Sequence, residues 1–202
     1  QNNSYPIIIG NDILKSAGAE IKKITTKSQR FLIVTDRNIP KSYAGAIFSS
    51  IKSKHKYLLT ISAGEKSKNI NFVNQIIKIL FKHNFNRDDC VIALGGGVIG
   101  DLAGFASSIF KRGLNLIQIP TTLLAQVDSS IGGKTGINSI EGKNMIGTFY
   151  QPKMVLIDPT TLKSLPRRHL IAGYAEVLKY ALIMNSKFFS WLEKNSKAII
   201  NL

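Results

Sequence analysis

The residues best suited to chemistry open on a glycine string, VIALGGGVIGD, at residues 91–101. Gly95, Gly97 and Gly100 satisfy G-x-G-x-x-G between an apolar run that reads as a strand and a segment that reads as a helix. Bare glycine backbone lets a pyrophosphate approach closely, and a helix N-terminus offers free N–H groups and positive potential. A glycine turn that only packs a helix, with no ligand, is the competing reading. The acidic residue that normally follows such a turn by about 20 positions, to bind a ribose, is missing. No acid lies between Asp101 and Asp128. Asp36, which follows the apolar run RFLIVT, stands where α/β sheets bind ligands and could accept ribose hydroxyls; alternatively it caps the next helix.

A second block, PTTLLAQVDSSIGGKTGIN followed by GKNMIGTFYQP, crowds Asp128, Lys134, Lys143 and Asn144 onto glycine-rich backbone. Two lysines are point charges suited to phosphate or carboxylate. Asn144 can both donate and accept, which suits hydroxyls or a phosphate oxygen. The block is expected to be a long irregular loop, a class that is usually functional in a compact domain. An incidental lysine-bearing surface loop is the alternative. In a third block, GYAEVLKYALI, Glu176 lies three residues before Lys179 and four before Tyr180, on one side of a helix. A surface ion pair is the plain reading, but charges on so apolar a helix usually have a partner or a task.

The elements that position these residues alternate. Strands are expected at YPIII (5–9), RFLIVT (30–35), KYLLTI (56–61), CVIAL (90–94), NLIQI (115–119) and MVLID (154–158). Ile70, Val73, Ile76, Ile77 and Leu80 fall at helical spacing, and the segment 97–110 is apolar nearly all round, as a buried helix should be. The alternation predicts an α/β class, with a mostly parallel, Rossmann-like sheet covered on both faces. Beyond residue 158 the pattern is helical, with Leu170, Ile171, Tyr174, Val177, Leu178 and Ala181 forming a stripe. A boundary is therefore expected near Leu165–Pro166: an α/β domain over 1–166, then the start of an all-helical domain over 167–202, too short for a core of its own.

A net charge of +15 could attract nucleic acid, an anionic membrane surface or anionic small molecules. The lysines are scattered singly, without the blocks or interleaved aromatics of a nucleic-acid binder, so no nucleic-acid partner is expected. No apolar run is long enough to span a membrane. QNNSYPIIIG does not read as a signal peptide, and the lone Cys90 fits a reducing, cytoplasmic compartment. The chain opens on Gln, so it is expected to be processed or part of a longer one.

Together, GGGVIGDLAGF, RGLNLIQIPTTLLAQVDSSIGGKTGIN, GKNMIGTFYQP and LPRRHLIAGYAEVLKYALI resemble the 3-dehydroquinate synthase family, from SYPIIIG to WLEKN. The resemblance implies a dehydroquinate synthase-like fold and a lyase of the shikimate pathway of aromatic amino acid biosynthesis. That enzyme converts 3-deoxy-arabino-heptulosonate 7-phosphate to 3-dehydroquinate with NAD and zinc or cobalt. Carried over residue by residue, it implies that Asp36 and Asn38 contact the adenosine end of NAD, and that Glu65 and Lys68 hold a ribose or its neighbours. Gly96, Gly97 and Asp101 would line the pyrophosphate and nicotinamide ribose; Thr121, Thr122, Thr161, Leu162, Lys163 and Ser164 would complete that pocket. Asp128, Lys134, Lys143 and Asn144 would lie where nicotinamide meets substrate. Arg112 would reach the neighbouring subunit's phosphate site, which implies a homodimer. Glu176 would be a metal ligand and Lys179 a substrate contact.

Two departures stand out. His169 in LPRRH replaces the family's Glu, at the edge of the implied cofactor pocket. The family's two zinc histidines have no counterpart: His169 lies seven positions before Glu176, about 10 Å along one helix, too far to share a metal. The other metal ligands are expected after residue 202, and this stretch alone is expected to bind NAD without turning over substrate. Rival readings are another sugar-phosphate cyclase of the same fold, such as an inosose or valiolone synthase, and a non-catalytic NAD- or anion-binding module.

Overall fold

A computed structural model describes residues 4–200. The first residues of the stretch read for a leader, 1–3, and the last two of the expected helical segment, 201 and 202, lie outside the described residues. Six strands form one sheet: β1 (Ile7–Ile9), β2 (Arg30–Asp36), β3 (His55–Ile61), β4 (Cys90–Gly95), β5 (Asn115–Pro120) and, later in the chain, β8 (Met154–Ile157). Every pairing is parallel, in the order β1-β8-β5-β4-β2-β3. From β2 the chain continues outward to β3; from β4 it continues the other way to β5. The carboxyl ends of β2 and β4 therefore flank the point where strand order reverses, the place such sheets bind ligands.

Alternation along the strands splits the core in two. Phe31, Ile33, Ile92 and Leu94 pack beneath α1 (Ala17–Ile24) and α2 (Lys41–Ser50). Leu32, Val34, Val91 and Ala93 pack beneath α3 (Ile70–Lys82) and α4 (Gly97–Ile109). In α3, Val73, Ile76 and Leu80 are fully buried, each contributing about 1.5–3 kcal/mol, whereas Ile70 of the same apolar spacing is exposed. Asn69 starts that helix, its side chain accepting from the Asn71 N–H at 2.9 Å. Asp158, almost wholly buried, caps the turn Pro159–Ser164 through the Thr160 N–H at 3.0 Å.

The block at 128–147 corrects the expectation of an irregular loop. It contains an antiparallel hairpin, β6 (Lys134–Ile137) with β7 (Ile146–Phe149), preceded by a π-helical turn at Ala125–Ser129. A hydroxyl chain anchors the hairpin to α4. Thr135 Oγ1 donates to the Thr148 carbonyl at 2.9 Å, and Thr148 Oγ1 donates to Ser108 Oγ at 2.8 Å.

Two helices follow, α5 (Arg167–Met184) and α6 (Ser186–Ile200). Tyr174, Ala181 and Leu192 form a small cluster with Leu123 of the preceding segment, so α5 packs on the α/β part. Gly173 sets that contact, since a Cβ there would stand 2.5 Å from the Leu124 nitrogen. Ile171, by contrast, is exposed. No helix among the described residues is long and apolar enough to cross a membrane.

Candidate active site

The carboxyl ends of four neighbouring strands carry most of the residues singled out in the sequence. Asp36 ends β2, Gly95 ends β4 with Gly96 and Gly97 after it, Thr121 and Thr122 follow β5, and Thr161 to Ser164 follow β8. Asp36 does not cap α2, whose N-terminal flank is Pro40. Its Oδ1 instead accepts from the Asn38 N–H at 2.8 Å, folding the turn after the strand. Burial raises the Asp36 carboxyl pKa, partly offset by the amides of Asn38 and Ile39.

At the glycine turn, the N–H groups of Ile99 and Gly100 both donate to the Gly96 carbonyl, at 3.0 and 3.1 Å. The amides of Gly97 and Val98 precede any helical acceptor and are free to meet a ligand. A Cβ on Gly97 would stand 2.9 Å from Ser129 Oγ, so a side chain there would crowd the crevice and displace that hydroxyl. Beside it, Thr121 Oγ1 and Ser129 Oγ are buried with no hydrogen-bond partner. Orphaned hydroxyls next to free amides are what a bound polar group would satisfy. Thr122 Oγ1 caps the next turn through the Ala125 N–H at 3.2 Å. Gln126, buried, donates to Thr161 Oγ1 at 3.2 Å and to the Asp158 carbonyl at 3.3 Å, tying the β5 turn to the β8 turn. Tyr43 donates to Ser164 Oγ at 3.1 Å. Leu162 is half-buried and Lys163 exposed.

Next to this turn lies a cleft of about 530 Å³ lined by Asp101, Asp128, Ser129, Lys134, Asn144 and Phe149, among others. Its wall is a polar network that joins segments far apart in sequence. Lys68 Nζ, buried, contacts both the Asp101 carboxylate and the Asn144 side-chain oxygen. Asn138 Nδ2 donates to Glu65 Oε1 at 2.8 Å, and Asn138 Oδ1 accepts from the Asn144 N–H at 2.9 Å. Asp101's carboxyl pKa is raised by burial, against the lowering effect of Lys68. Across the cleft, Tyr180 donates to Asp128 Oδ1 at 3.0 Å, and Lys179 pairs with Glu176 while lying 4.7 Å from the Tyr180 ring centre. Glu176 raises the pKa of Lys179, and the hydrogen bond to Asp128 raises that of Tyr180.

Not every candidate converges. Lys143 is exposed and outside the cleft lining. Arg112 follows the far end of α4, about 18 Å along the helix from Gly97, with left-handed backbone at φ 62°. Asn38 is exposed beyond the Asp36 turn. His169 is exposed in the first turn of α5. No group of three or more His, Cys, Asp or Glu that could hold a metal ion exists among the described residues. Sequence reasoning passed over Asn138, Ser129 and Gln126. All three stand inside the quoted string PTTLLAQVDSSIGGKTGIN, but no type or spacing there set them apart from their neighbours.

Comparison with known proteins places this geometry. Residues 58–172, more than half of the chain, match the family model described as 3-dehydroquinate synthase N-terminal. A 3-dehydroquinate synthase of Pelagibacter ubique is 50% identical over 201 residues, covering 100% of this chain and 55% of that protein. The 2-epi-5-epi-valiolone synthase of Streptomyces hygroscopicus, solved with NAD+ and Zn2+ bound, superposes with a TM-score of 0.87 at 32% identity, over 98% of this chain and 55% of that one. A 2-deoxy-scyllo-inosose synthase, complexed with carbaglucose-6-phosphate, NAD+ and Co2+, superposes with a TM-score of 0.78 at 30% identity, over 87% of this chain and 48% of that one. The chain thus spans about half the length of the relatives it matches. It has the parallel α/β fold of these enzymes and belongs to the 3-dehydroquinate synthase family.

Proposed function

We propose that this chain is the dinucleotide-binding part of a 3-dehydroquinate synthase, which converts 3-deoxy-arabino-heptulosonate 7-phosphate to 3-dehydroquinate and phosphate. The observation that carries the reading is the open glycine turn at the sheet's reversal point, with Thr121 Oγ1 and Ser129 Oγ orphaned beside it and a cation-bearing cleft adjoining. These features fit NAD. Its pyrophosphate rests on the Gly97 and Val98 amides, between Gly96 and the hydroxyls of Thr121 and Thr122. Asp36 accepts from the adenosine ribose, with Asn38 beside it. Glu65 and Lys68, joined to Asp101, border the nicotinamide end, and the turn from Thr161 through Leu162 and Lys163 to Ser164 closes the β8 side. NAD supplies a reversible hydride acceptor, which transiently acidifies the C–H beside the oxidised hydroxyl.

On the substrate side, Lys134 and Asn144 hold the phosphate, Asn144 through its side-chain donors, with Lys143 next to it in sequence where nicotinamide meets substrate. Asp128 and Lys179 orient hydroxyls. Arg112 serves the phosphate site of a second subunit in a homodimer. The described residues do not by themselves fit zinc or cobalt. Glu176 supplies one carboxylate, already paired with Lys179, and no three-donor set exists among them. Further donors would come from chain that the relatives carry beyond the matched span, so no step is derived through the metal. We further propose a cytoplasmic location and a small sugar phosphate, not nucleic acid or membrane, as the partner.

The likeness to the valiolone and inosose synthases favours a second reading, another sugar-phosphate cyclase of the same fold. Incubating the natural full-length protein with NAD, zinc and 3-deoxy-arabino-heptulosonate 7-phosphate decides between them. Phosphate release with 3-dehydroquinate as product is expected. No turnover here, with turnover of a different sugar phosphate, supports the second reading. The 202-residue stretch alone is expected to bind NAD and release no phosphate.

A further inference from the structure

We propose that Asn138 is the positioning residue that sets the polar face of the cleft, resting on the reading of the site given above. One side chain and one amide tie two segments far apart in the chain, the Glu65–Lys68 turn and the 138–144 connection. The Asn138 N–H donates to the Lys68 carbonyl at 2.8 Å. Its Oδ1 accepts from the Asn144 N–H at 2.9 Å, and its Nδ2 donates to Glu65 Oε1 at 2.8 Å. The orientation of the amide is fixed by chemistry. A backbone N–H can only donate, so the atom facing Asn144 must be the oxygen, and the NH2 must face the Glu65 carboxylate.

The consequence reaches the cleft through Asn144. That residue lies in left-handed backbone, at φ 58°, a conformation that asparagine tolerates better than most residues and that its contacts hold here. The Asn138 oxygen holds its amide, and the Lys68 ammonium holds its side-chain oxygen. With the oxygen so engaged, the Asn144 NH2 becomes the donor left for whatever occupies the cleft that Asn144 lines. The Glu65 arm does the same on the cofactor side, since it keeps that carboxylate from swinging away in an exposed turn. Asn138 itself is outside the cleft lining and acts only through these neighbours.

Asn138→Asp is nearly isosteric. It keeps an acceptor for Asn144 and sets a carboxylate against Glu65. Asn138→Ala removes both arms. In the natural full-length protein, Asn138→Ala is expected to lower kcat at least tenfold with saturating NAD, while the melting temperature of the folded protein changes little. Asn138→Asp is expected to weaken NAD binding tenfold or more and to leave KM for the sugar phosphate near the parent value. Adding Glu65→Gln to Asn138→Asp restores a donor-to-carboxylate contact in reverse and is expected to recover much of the NAD affinity. A purely structural role would move the melting temperature and leave these parameters of the folded fraction alone.

Amide hydrogen exchange at Asn144 reads the same claim without any activity. Exchange at least tenfold faster in Asn138→Ala, with the α4 amides unchanged, is expected. Unchanged Asn144 exchange together with parental NAD affinity in both single variants overturns the proposal. An inactive parent with the expected exchange result would instead count against the proposed reaction and leave the positioning role supported.

Discussion

Replacing Lys68 by Met offers a quantitative test of the cleft wall. The Lys68 side chain is 7% exposed and its partner Asp101 19% exposed. Removing the ammonium strands a carboxylate in a mostly dry site and frees the Asn144 oxygen that shares the same Nζ. Breaking a fully buried pair costs about 3–5 kcal/mol. The partial exposure of Asp101 discounts that, and the lost Asn144 contact adds about 1 kcal/mol, so about 3 kcal/mol is expected at neutral pH. For a chain of this size that is a fall of roughly 6–12 °C in melting temperature. The pH dependence carries a sign. Burial already raises the Asp101 pKa, and losing Lys68 raises it further. A carboxyl with a folded pKa above its unfolded one binds its proton more tightly when folded. Its contribution is then full below the unfolded pKa and is lost as pH rises through the folded value. The deficit of Lys68→Met should therefore shrink as pH falls from about 7 to about 4.5, and Asp101→Asn in the same chain should recover much of it. Thermal melts of parent, single and double variants across that range decide. A neutral-pH melt within about 2 °C of the parent, or a deficit unchanged in acid, would show that the Lys68–Asp101 pair does not hold the cleft wall.

Other consequences are simpler to read. Burial pushes the Cys90 thiol far above its usual range, aided by the nearby Asp89 carboxylate. Iodoacetamide at neutral pH should leave it untouched in the folded protein and label it after denaturation, by mass spectrometry; prompt native labelling would contradict its burial. Gly173→Val places side-chain atoms against the Leu123 and Leu124 backbone, which cannot yield. It should lift α5 and raise trypsin cleavage at Arg167, Arg168 and Lys179, while the six-stranded sheet and its helices resist as before.

What the sequence disclosed follows from how local each signal is. The four inner strands, β2, β4, β5 and β8, were legible because a strand buried on both faces writes itself as a short apolar run between turn residues, whereas the edge strands β1 and β3 showed through their β-rich residue types alone. Cys90–Gly95 and Met154–Ile157 are wholly buried runs of this kind. The hairpin was not legible. KTGI and IGTF are four-residue strands rich in glycine, held by the Thr135–Thr148–Ser108 hydroxyls and α4 rather than by their own propensity. The glycine turn was readable from its spacing. The wiring around it was not: Lys68 meets Asp101 and Asn144, and Tyr180 meets Asp128, across separations that no local pattern records. Asp36 shows the intermediate case. Its place at a strand's end was visible, but its role as the cap of its own turn rather than of α2 depends on Pro40 standing between.

The most direct test of the account is to map NAD on the chain by amide chemical shifts, alongside Gly97→Val. Saturable shifts are expected at Gly96, Gly97, Val98, Thr121 and Ser129. Binding is expected to be at least tenfold weaker in Gly97→Val, about 1.4 kcal/mol, because the new side chain enters the crevice shared with Ser129. Shifts confined to another face of the sheet, or equal affinity in the variant, would contradict it.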